Sequence, residues 1–135
     1  MKIYVAAKFE KKELVHDVFR KLRALGHEIT YDWTTHKNIK PYNANQETAS
    51  IYSQNEVKGI RKCDVLIYIA DERGTTLPME FGFALALAIT TGKPHIFAVG
   101  EYNTRSPWFF NPVVRRTDSV NKVLNLLEDL EGNGN

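Results

Sequence analysis

Cysteine, net charge and long apolar runs are all scarce in this chain of 135 residues. The single cysteine, Cys63, excludes an intrachain disulfide and a cysteine-based metal cluster, and it favours a reducing, cytoplasmic setting. A formal net charge of +2 gives no reason to expect binding to a nucleic acid polymer. No apolar run approaches the ~20 residues that a membrane-spanning helix needs, so we expect no membrane partner. The first residues read as a strand and not as a secretory signal.

Histidine is also scarce, and its positions show no metal-ligand spacing. His16 lies on a predicted helix, His27 beside its end, and His95 in a predicted strand. His36 falls in a loop, where a lone histidine is more often exposed than a proton carrier. We therefore predict that the protein uses neither a metal nor another cofactor.

What is present is an ordinary globular composition, with 43% hydrophobic and 25% charged residues. Apolar runs alternate with amphipathic segments, which argues for a parallel sheet covered on both faces. The predicted fold is a single-domain α/β, Rossmann-like or flavodoxin-like three-layer sandwich with a five-stranded, mostly parallel sheet. We expect the domain to span residues 1–131 and residues 132–135 to form a disordered tail. Strands are predicted at residues 3–7, 28–33, 65–70, 95–99 and 113–115, and helices at 11–25, 45–62, 78–91 and 118–130.

The stretch from Gly74 to Gly82 joins the most apolar predicted strand to a helix. Pro78 fits the first helical position, because its missing N–H costs nothing there. Glu80 then lies in the first helical turn, where the helix dipole favours the ionised carboxylate. Open α/β sheets bind ligands at the carboxyl ends of their strands, so Glu80 would face a ligand. In a capping box the glutamate comes three positions after the Ser or Thr, whereas Glu80 comes four positions after Thr76, which favours a nucleophilic role over capping.

Small residues at two strand ends offer further contacts for a ligand. Gly74 and Thr75 could present backbone N–H and hydroxyl groups to a phosphate or sugar, although such a turn is a weak signal by itself. Ala6 and Ala7 would let a ligand approach the backbone at the end of the first strand. Lys8 could pair with a phosphate, but a lone lysine is more often solvated.

Three other polar or aromatic residues can each be interpreted in two ways. Tyr4 would need a partner for its hydroxyl if it were buried, and Glu80 could provide one. Asp71 could hold a ribose hydroxyl, or it could be an ordinary loop residue. Trp33 could stack on a base, or it could cover the edge of the sheet.

One segment carries a family resemblance. Residues 75–84 read T-x-x-x-M-E-x-G-x-A and are followed by G-K-P at 92–94. This pattern resembles the nucleoside 2-deoxyribosyltransferase family, whose relatives include small nucleoside 5′-monophosphate N-glycosidases and pyrimidine-nucleotide hydrolases. The resemblance covers residues 2 to about 100. It implies that Glu80 is the nucleophile and that Tyr4 hydrogen-bonds to it.

The resemblance also implies roles outside that segment. Glu56 stands where an acidic residue of the family helps to bind the nucleoside. The aromatic loop at residues 102–111 resembles one that a neighbouring subunit offers to complete the pocket, which implies a homodimer or higher oligomer with a shared active site. Lys8 and Arg73 favour a phosphorylated substrate. Together these assignments give catalytic roles to Glu80, Tyr4 and Asp71, and substrate-binding roles to Ala6, Ala7, Lys8, Phe9, Trp33, Glu56, Gly74, Thr75, Trp108 and Asn111.

The implied activity is cleavage of the N-glycosidic bond of a nucleoside, a deoxynucleoside or its 5′-monophosphate, by transfer to another base or to water. Two alternatives remain open. A phosphoribohydrolase of the cytokinin-activating type carries a PGGxGTxxE loop, with the glutamate three residues after the threonine, whereas Glu80 comes five residues after Thr75. The other alternative is a nucleotide-binding sensor without turnover.

Overall fold

The computed structural model describes residues 1–133 and contains one five-stranded sheet in which every neighbouring pair of strands is parallel. The spatial order of the strands is β2-β1-β3-β4-β5. This confirms the predicted α/β fold. The strands are β1 (Lys2–Ala6), β2 (Glu28–Ile29), β3 (Val65–Ile69), β4 (His95–Val99) and β5 (Val114–Thr117), and the helices are α1 (Lys12–Ala24), α2 (Gln46–Lys62), α3 (Thr76–Thr91) and α4 (Val120–Asn133).

The helices cover both faces of the sheet. With the right-handed crossovers that are usual between parallel strands, this strand order puts α1 on one face and α2 and α3 on the other, and α2 and α3 contact each other. The end of α4 lies near the start of β1, because Glu131 Oε1 is 3.4 Å from the Met1 ammonium and 3.5 Å from Nδ1 of His27. Among residues 1–133, no helix combines the length and the apolar character needed to cross a membrane.

The prediction of a strand at residues 28–33 was wrong beyond Ile29. The Asp32 carboxylate accepts a hydrogen bond of 2.9 Å from the backbone N–H of Thr34 and so caps a 3₁₀ turn at Trp33–Thr35. Such local side-chain bonds compete with a sheet ladder for the backbone. The turn directs Trp33 inward, where its indole N–H donates to the carbonyl of Val5 at 2.7 Å.

Two predicted helix boundaries also differ from the structure. Helix α3 begins at Thr76, so Pro78 is its third residue, where an absent N–H is still tolerated. Glu80 is therefore the fifth residue of α3 and lies beyond its first turn. Helix α4 runs to Asn133. The predicted tail at 132–135 thus begins inside this helix, and its last two residues lie outside the described part of the chain.

Candidate active site

A cavity of about 290 Å³ opens beside the carboxyl ends of β1 and β3. Its volume is close to the lower end of the roughly 300–1,000 Å³ that is usual for small-molecule sites. Four parts of the chain line it: residues 7–10 after β1; Trp33 and residues 36–40 and 42 after β2; Ala49, Tyr52, Ser53 and Glu56 of α2; and residues 74–77 with Glu80 at the start of α3.

Glu80 and Tyr4 meet beside this cavity, as the sequence predicts. The hydroxyl of Tyr4 donates a 2.9 Å hydrogen bond to Oε2 of Glu80. Tyr4 lies in the centre of β1 with no exposed surface, so its ring cannot swing away. Glu80 is half-buried and lines the cavity, which leaves its carboxyl accessible to a ligand.

Burial raises the pKa of Glu80 to about 8, and the nearby charge of Glu56 adds to that effect. The hydrogen bond from Tyr4 acts in the opposite direction and is the smaller influence. This corrects the expectation that the helix dipole would favour the ionised carboxylate. The dipole acts mainly within the first turn, and Glu80 lies beyond it, so loss of solvent prevails.

Glu56 is a second carboxyl in the same cavity. Burial raises its pKa to about 7. Its only basic partner within 4 Å, among the described residues, is His36, whose Nδ1 lies 3.6 Å from Oε1 of Glu56. No lysine or arginine pairs with Glu80 within that distance in residues 1–133. Two carboxyls that share a cavity without a strong cation are suited to exchange protons near neutral pH.

Gly59 permits the close packing of α2 against Tyr4, and the prediction from sequence assigned it no such role. A Cβ atom at this position would lie 2.8 Å from Cβ of Tyr31 and 2.9 Å from Cδ2 of Tyr4. A glycine inside a helical pattern is the sequence signal that could have indicated close packing.

Replacing Gly59 with alanine is expected to destabilise the protein by roughly 1–3 kcal/mol, since the buried ring of Tyr4 and the chain at Tyr31 must shift. Urea unfolding measures the change. The matched control is Gly132→Ala in α4, where a Cβ would meet nothing within 4 Å and stability should be unchanged or slightly higher. A Gly59→Ala protein as stable as the wild type would contradict the packing argument.

The structure places most of the predicted binding residues at the cavity. Ala7, Lys8, Phe9, Trp33, Glu56, Gly74 and Thr75 line it, whereas Ala6 is buried in β1 behind it. Trp33 covers the edge of the sheet beside β1, where its indole N–H donates to Val5, and it also lines the cavity. Its stacking on a base stays a prediction.

Asp71 does not line the cavity. Its Oδ2 lies 3.0 Å from Nζ of Lys11, and its Oδ1 accepts the backbone N–H of Glu72 at 2.7 Å. Burial acts to raise the pKa of Asp71, but the hydrogen bonds from Lys11 and from the backbone outweigh it and lower the pKa. An aspartate held ionised in this way is a poor proton donor, which corrects its expected place among the catalytic groups.

Trp108 and Asn111 also lie outside the cavity of this chain. The side chain of Trp108 is 58% exposed. The side chain of Asn111 accepts the backbone N–H of Val113 at 3.1 Å and so stabilises its own loop.

Three lysines line the cavity together with the carboxyls of Glu10, Glu56 and Glu80. The lysines are Lys8, Lys37 and Lys40, and none of them belongs to an ion pair within the described residues. The turn at residues 74–76 brings the start of α3 to the same cavity, and the free N–H groups of a helix start favour an anion. No group of three or more His, Cys, Asp or Glu side chains in residues 1–133 is arranged to hold a metal ion.

His36 is the functional candidate that the sequence prediction undervalued. It was expected to be exposed, but its side chain is only 9% exposed, and its ring stacks on Tyr52 with centroids 3.6 Å apart. No local pattern links two residues that far apart in the sequence, so only the folded chain reveals this contact.

Comparison with known proteins gives one line of support for the fold. No protein-family model and no curated protein matches the chain. Among solved structures, the CMP N-glycosidase BcmB of Clostridium botulinum matches with a TM-score of 0.58 and 17% sequence identity. The match covers 95% of this chain and 98% of that chain. The two chains therefore share a fold along almost their whole lengths.

Proposed function

We propose that this chain cleaves the N-glycosidic bond of a nucleoside 5′-monophosphate, with Glu80 as the nucleophile. The observation that carries the proposal is the 2.9 Å hydrogen bond that joins Tyr4 to a cavity-lining Glu80. The structural neighbour is named a CMP N-glycosidase, which agrees with this reaction. A shared fold alone would not justify it, because one fold can support many functions.

The reaction would proceed in two displacement steps. The ionised carboxylate of Glu80 attacks C1′ of the sugar, and the electrons of the C1′–N bond pass to the base. The base nitrogen takes the proton of the Glu56 carboxyl and leaves. Water then attacks C1′, returns a proton to Glu56 and releases the carboxylate of Glu80. This scheme parallels the retaining glycosidases, which also use two carboxyls.

Glu56 takes the proton-donor role in this scheme because it lines the cavity and its pKa is raised to about 7. Tyr4 acts as a hydrogen-bond donor throughout. Burial raises the pKa of Tyr4 first of all, and the charges of Glu80 and Glu56 raise it further, so its hydroxyl stays protonated.

A 5′-phosphate is the favoured end group of the substrate. Lys8, Lys37 and Lys40 line the cavity together with the start of α3, and these groups suit an anion. Glu56 and Glu80 would face the sugar and the base.

The test is incubation with ribo- and deoxyribonucleosides and their 5′-monophosphates, each with and without a second free base, followed by chromatography. We expect free base from monophosphates and little from nucleosides. Formation of a new nucleotide with the added base would show transfer in place of hydrolysis. Absence of base release from every substrate would contradict the proposed function and leave a binding role.

We also propose that the working form is a homo-oligomer. Helix α3 exposes Met79 (73%) and Ile89 (58%), and the nearby loop exposes Trp108 and Phe110. Such an apolar surface is typical of a protein interface. In this arrangement Trp108 and Asn111 would complete the cavity of a second copy.

Ile89→Lys should convert a dimer into a monomer, because it places a charge on this apolar surface away from the cavity. Sedimentation velocity measures the change, and Lys58→Met on the exposed side of α2 serves as the control. A wild type that sediments as a monomer at all concentrations would refute the oligomer.

A further inference from the structure

Three contacts hold His36 in the wall of the cavity. Its ring lies almost parallel to that of Tyr52, at an angle of 4° and a centroid distance of 3.6 Å. Its Nε2 is 2.5 Å from the hydroxyl of Tyr31, and its Nδ1 is 3.6 Å from Oε1 of Glu56. The hydroxyl of Tyr52 accepts the backbone N–H of Lys37 at 3.1 Å, which fixes the chain directly after His36. Nε2 therefore has a hydrogen-bond partner, and Nδ1 faces a Glu56 oxygen just beyond hydrogen-bond distance.

We propose that His36 is a positioning residue for Glu56, and that its ring changes tautomer as the Glu56 carboxyl loses and regains its proton. This inference rests on the proposed function, in which Glu56 gives a proton to the leaving base. Neutral imidazole has one N–H donor and one acceptor, and a tyrosine hydroxyl can act as either. The Tyr31–His36 pair can therefore offer an acceptor to the protonated carboxyl of Glu56 and a donor to the ionised one.

The two states differ in three protons. The Glu56 proton passes to the base or to water, the imidazole hydrogen changes nitrogen by exchange with water, and the Tyr31 hydroxyl hydrogen turns toward or away from Nε2. With Glu56 protonated, Nε2 of His36 carries the hydrogen and donates to the Tyr31 oxygen, which leaves Nδ1 free to face the acid. With Glu56 ionised, Nδ1 carries the hydrogen and faces the carboxylate, while the Tyr31 hydroxyl donates to Nε2. Glu56 thus keeps a complementary neighbour while it gives up its proton. A partner with a fixed donor, such as a backbone N–H, would favour only the ionised state.

The surroundings favour a neutral ring over a cation. Burial lowers the pKa of His36, and the charge of Asp32 opposes this to a smaller extent. Glu56 is the carboxyl nearest to the ring, at 3.6 Å, and burial raises its pKa. The titratable and charged groups around the pair are Tyr4 from β1, Tyr31 and Asp32 after β2, Tyr52 on α2 and Glu80 on α3, with Lys8, Glu10, Lys37 and Lys40 in the cavity wall.

Nitrogen NMR of the histidine side chains tests the tautomer change without any substrate. We expect the hydrogen to move from Nε2 to Nδ1 of His36 between about pH 6 and pH 8, with the midpoint at the titration of Glu56. The change should vanish in Glu56→Gln, while His95, which lies at the opposite end of the sheet, behaves as in the wild type. The same tautomer throughout, or a change that persists in Glu56→Gln, would overturn the proposal.

Kinetics provide the second readout. His36→Phe keeps an aromatic ring against Tyr52 but removes both nitrogens, and we expect it to lower kcat by about 10-fold for a natural base. A p-nitrophenyl riboside 5′-phosphate, whose leaving group needs no proton, should lose less than about 3-fold. An equal loss of kcat on both substrates would show that His36 only stabilises the structure and does not assist proton donation by Glu56. If the wild type shows the tautomer change but releases no base, the proposed function is refuted. The coupling between the His36 tautomer and the Glu56 proton would still stand.

Discussion

Glu80→Gln is expected to lower turnover by at least ~10³-fold and, in the same protein, to raise the melting temperature at pH 8. The loss of activity follows from the loss of the nucleophile. The amide can still accept the hydrogen bond from Tyr4, so the local structure should persist. Base release and thermal unfolding are the two measurements.

The gain in stability follows from the raised pKa. In the folded chain Glu80 has a pKa of about 8, against an ordinary value of 4.5. Between these two pH values the folded state binds a proton that the unfolded chain has released, so wild-type stability falls as the pH rises. Glutamine has no such dependence. The variant should match the wild type near pH 4.5 and exceed it most above pH 8, by at most about 5 kcal/mol.

At pH 8 this corresponds to a rise in melting temperature of roughly 5–15 °C. The matched control is Glu47→Gln, which removes an exposed carboxyl from α2 and should change the melting temperature by less than about 2 °C. A Glu80→Gln protein that is less stable than the wild type at pH 8 would mean that the carboxyl is satisfied in its ionised form.

Glu56→Gln should have the second largest effect, on both the rate and its pH dependence. Removal of the proton donor is expected to lower kcat by ~10²–10⁴-fold for a natural base. The productive state has Glu80 ionised and Glu56 protonated, so the wild-type profile of kcat/KM against pH should be bell-shaped, with both limbs in the range of about pH 6–9.

In Glu56→Gln the alkaline limb should disappear, because no donor remains to lose its proton. The acidic limb should persist, because Glu80 must still lose its proton before it can act as the nucleophile. Glu47→Gln again serves as the control and should retain the bell-shaped profile of kcat/KM against pH. An unchanged profile in Glu56→Gln would remove Glu56 from the mechanism.

The features that could be predicted from sequence are those with local causes. The apolar run of β3 is buried at every residue, and such a run is typical of a central parallel strand. Because this strand is followed by a short loop and then by the helix that carries Glu80, the sequence was sufficient to place Glu80 near the carboxyl end of the sheet. The hydrogen bond with Tyr4 could be expected because a buried hydroxyl needs a partner.

The features that sequence reasoning missed depend on residues far apart in the chain. The ionisation of Glu80 is governed by burial, which is a property of the folded chain, and the local helix dipole predicted the opposite direction. Asp71 lies outside the cavity lining and pairs at 3.0 Å with Lys11, which ends the 3₁₀ turn at Phe9–Lys11. The stacking of His36 on Tyr52 likewise joins a loop to a helix.

The stereochemistry of the reaction tests the central claim, that Glu80 forms a bond to C1′, most directly. Base release from a 5′-monophosphate in water containing methanol would yield a methyl riboside phosphate, whose anomeric configuration proton NMR reports. Two displacements predict that the β configuration of the substrate is retained. An α product would mean that the solvent attacks C1′ directly, and it would contradict the assignment of Glu80 as the nucleophile.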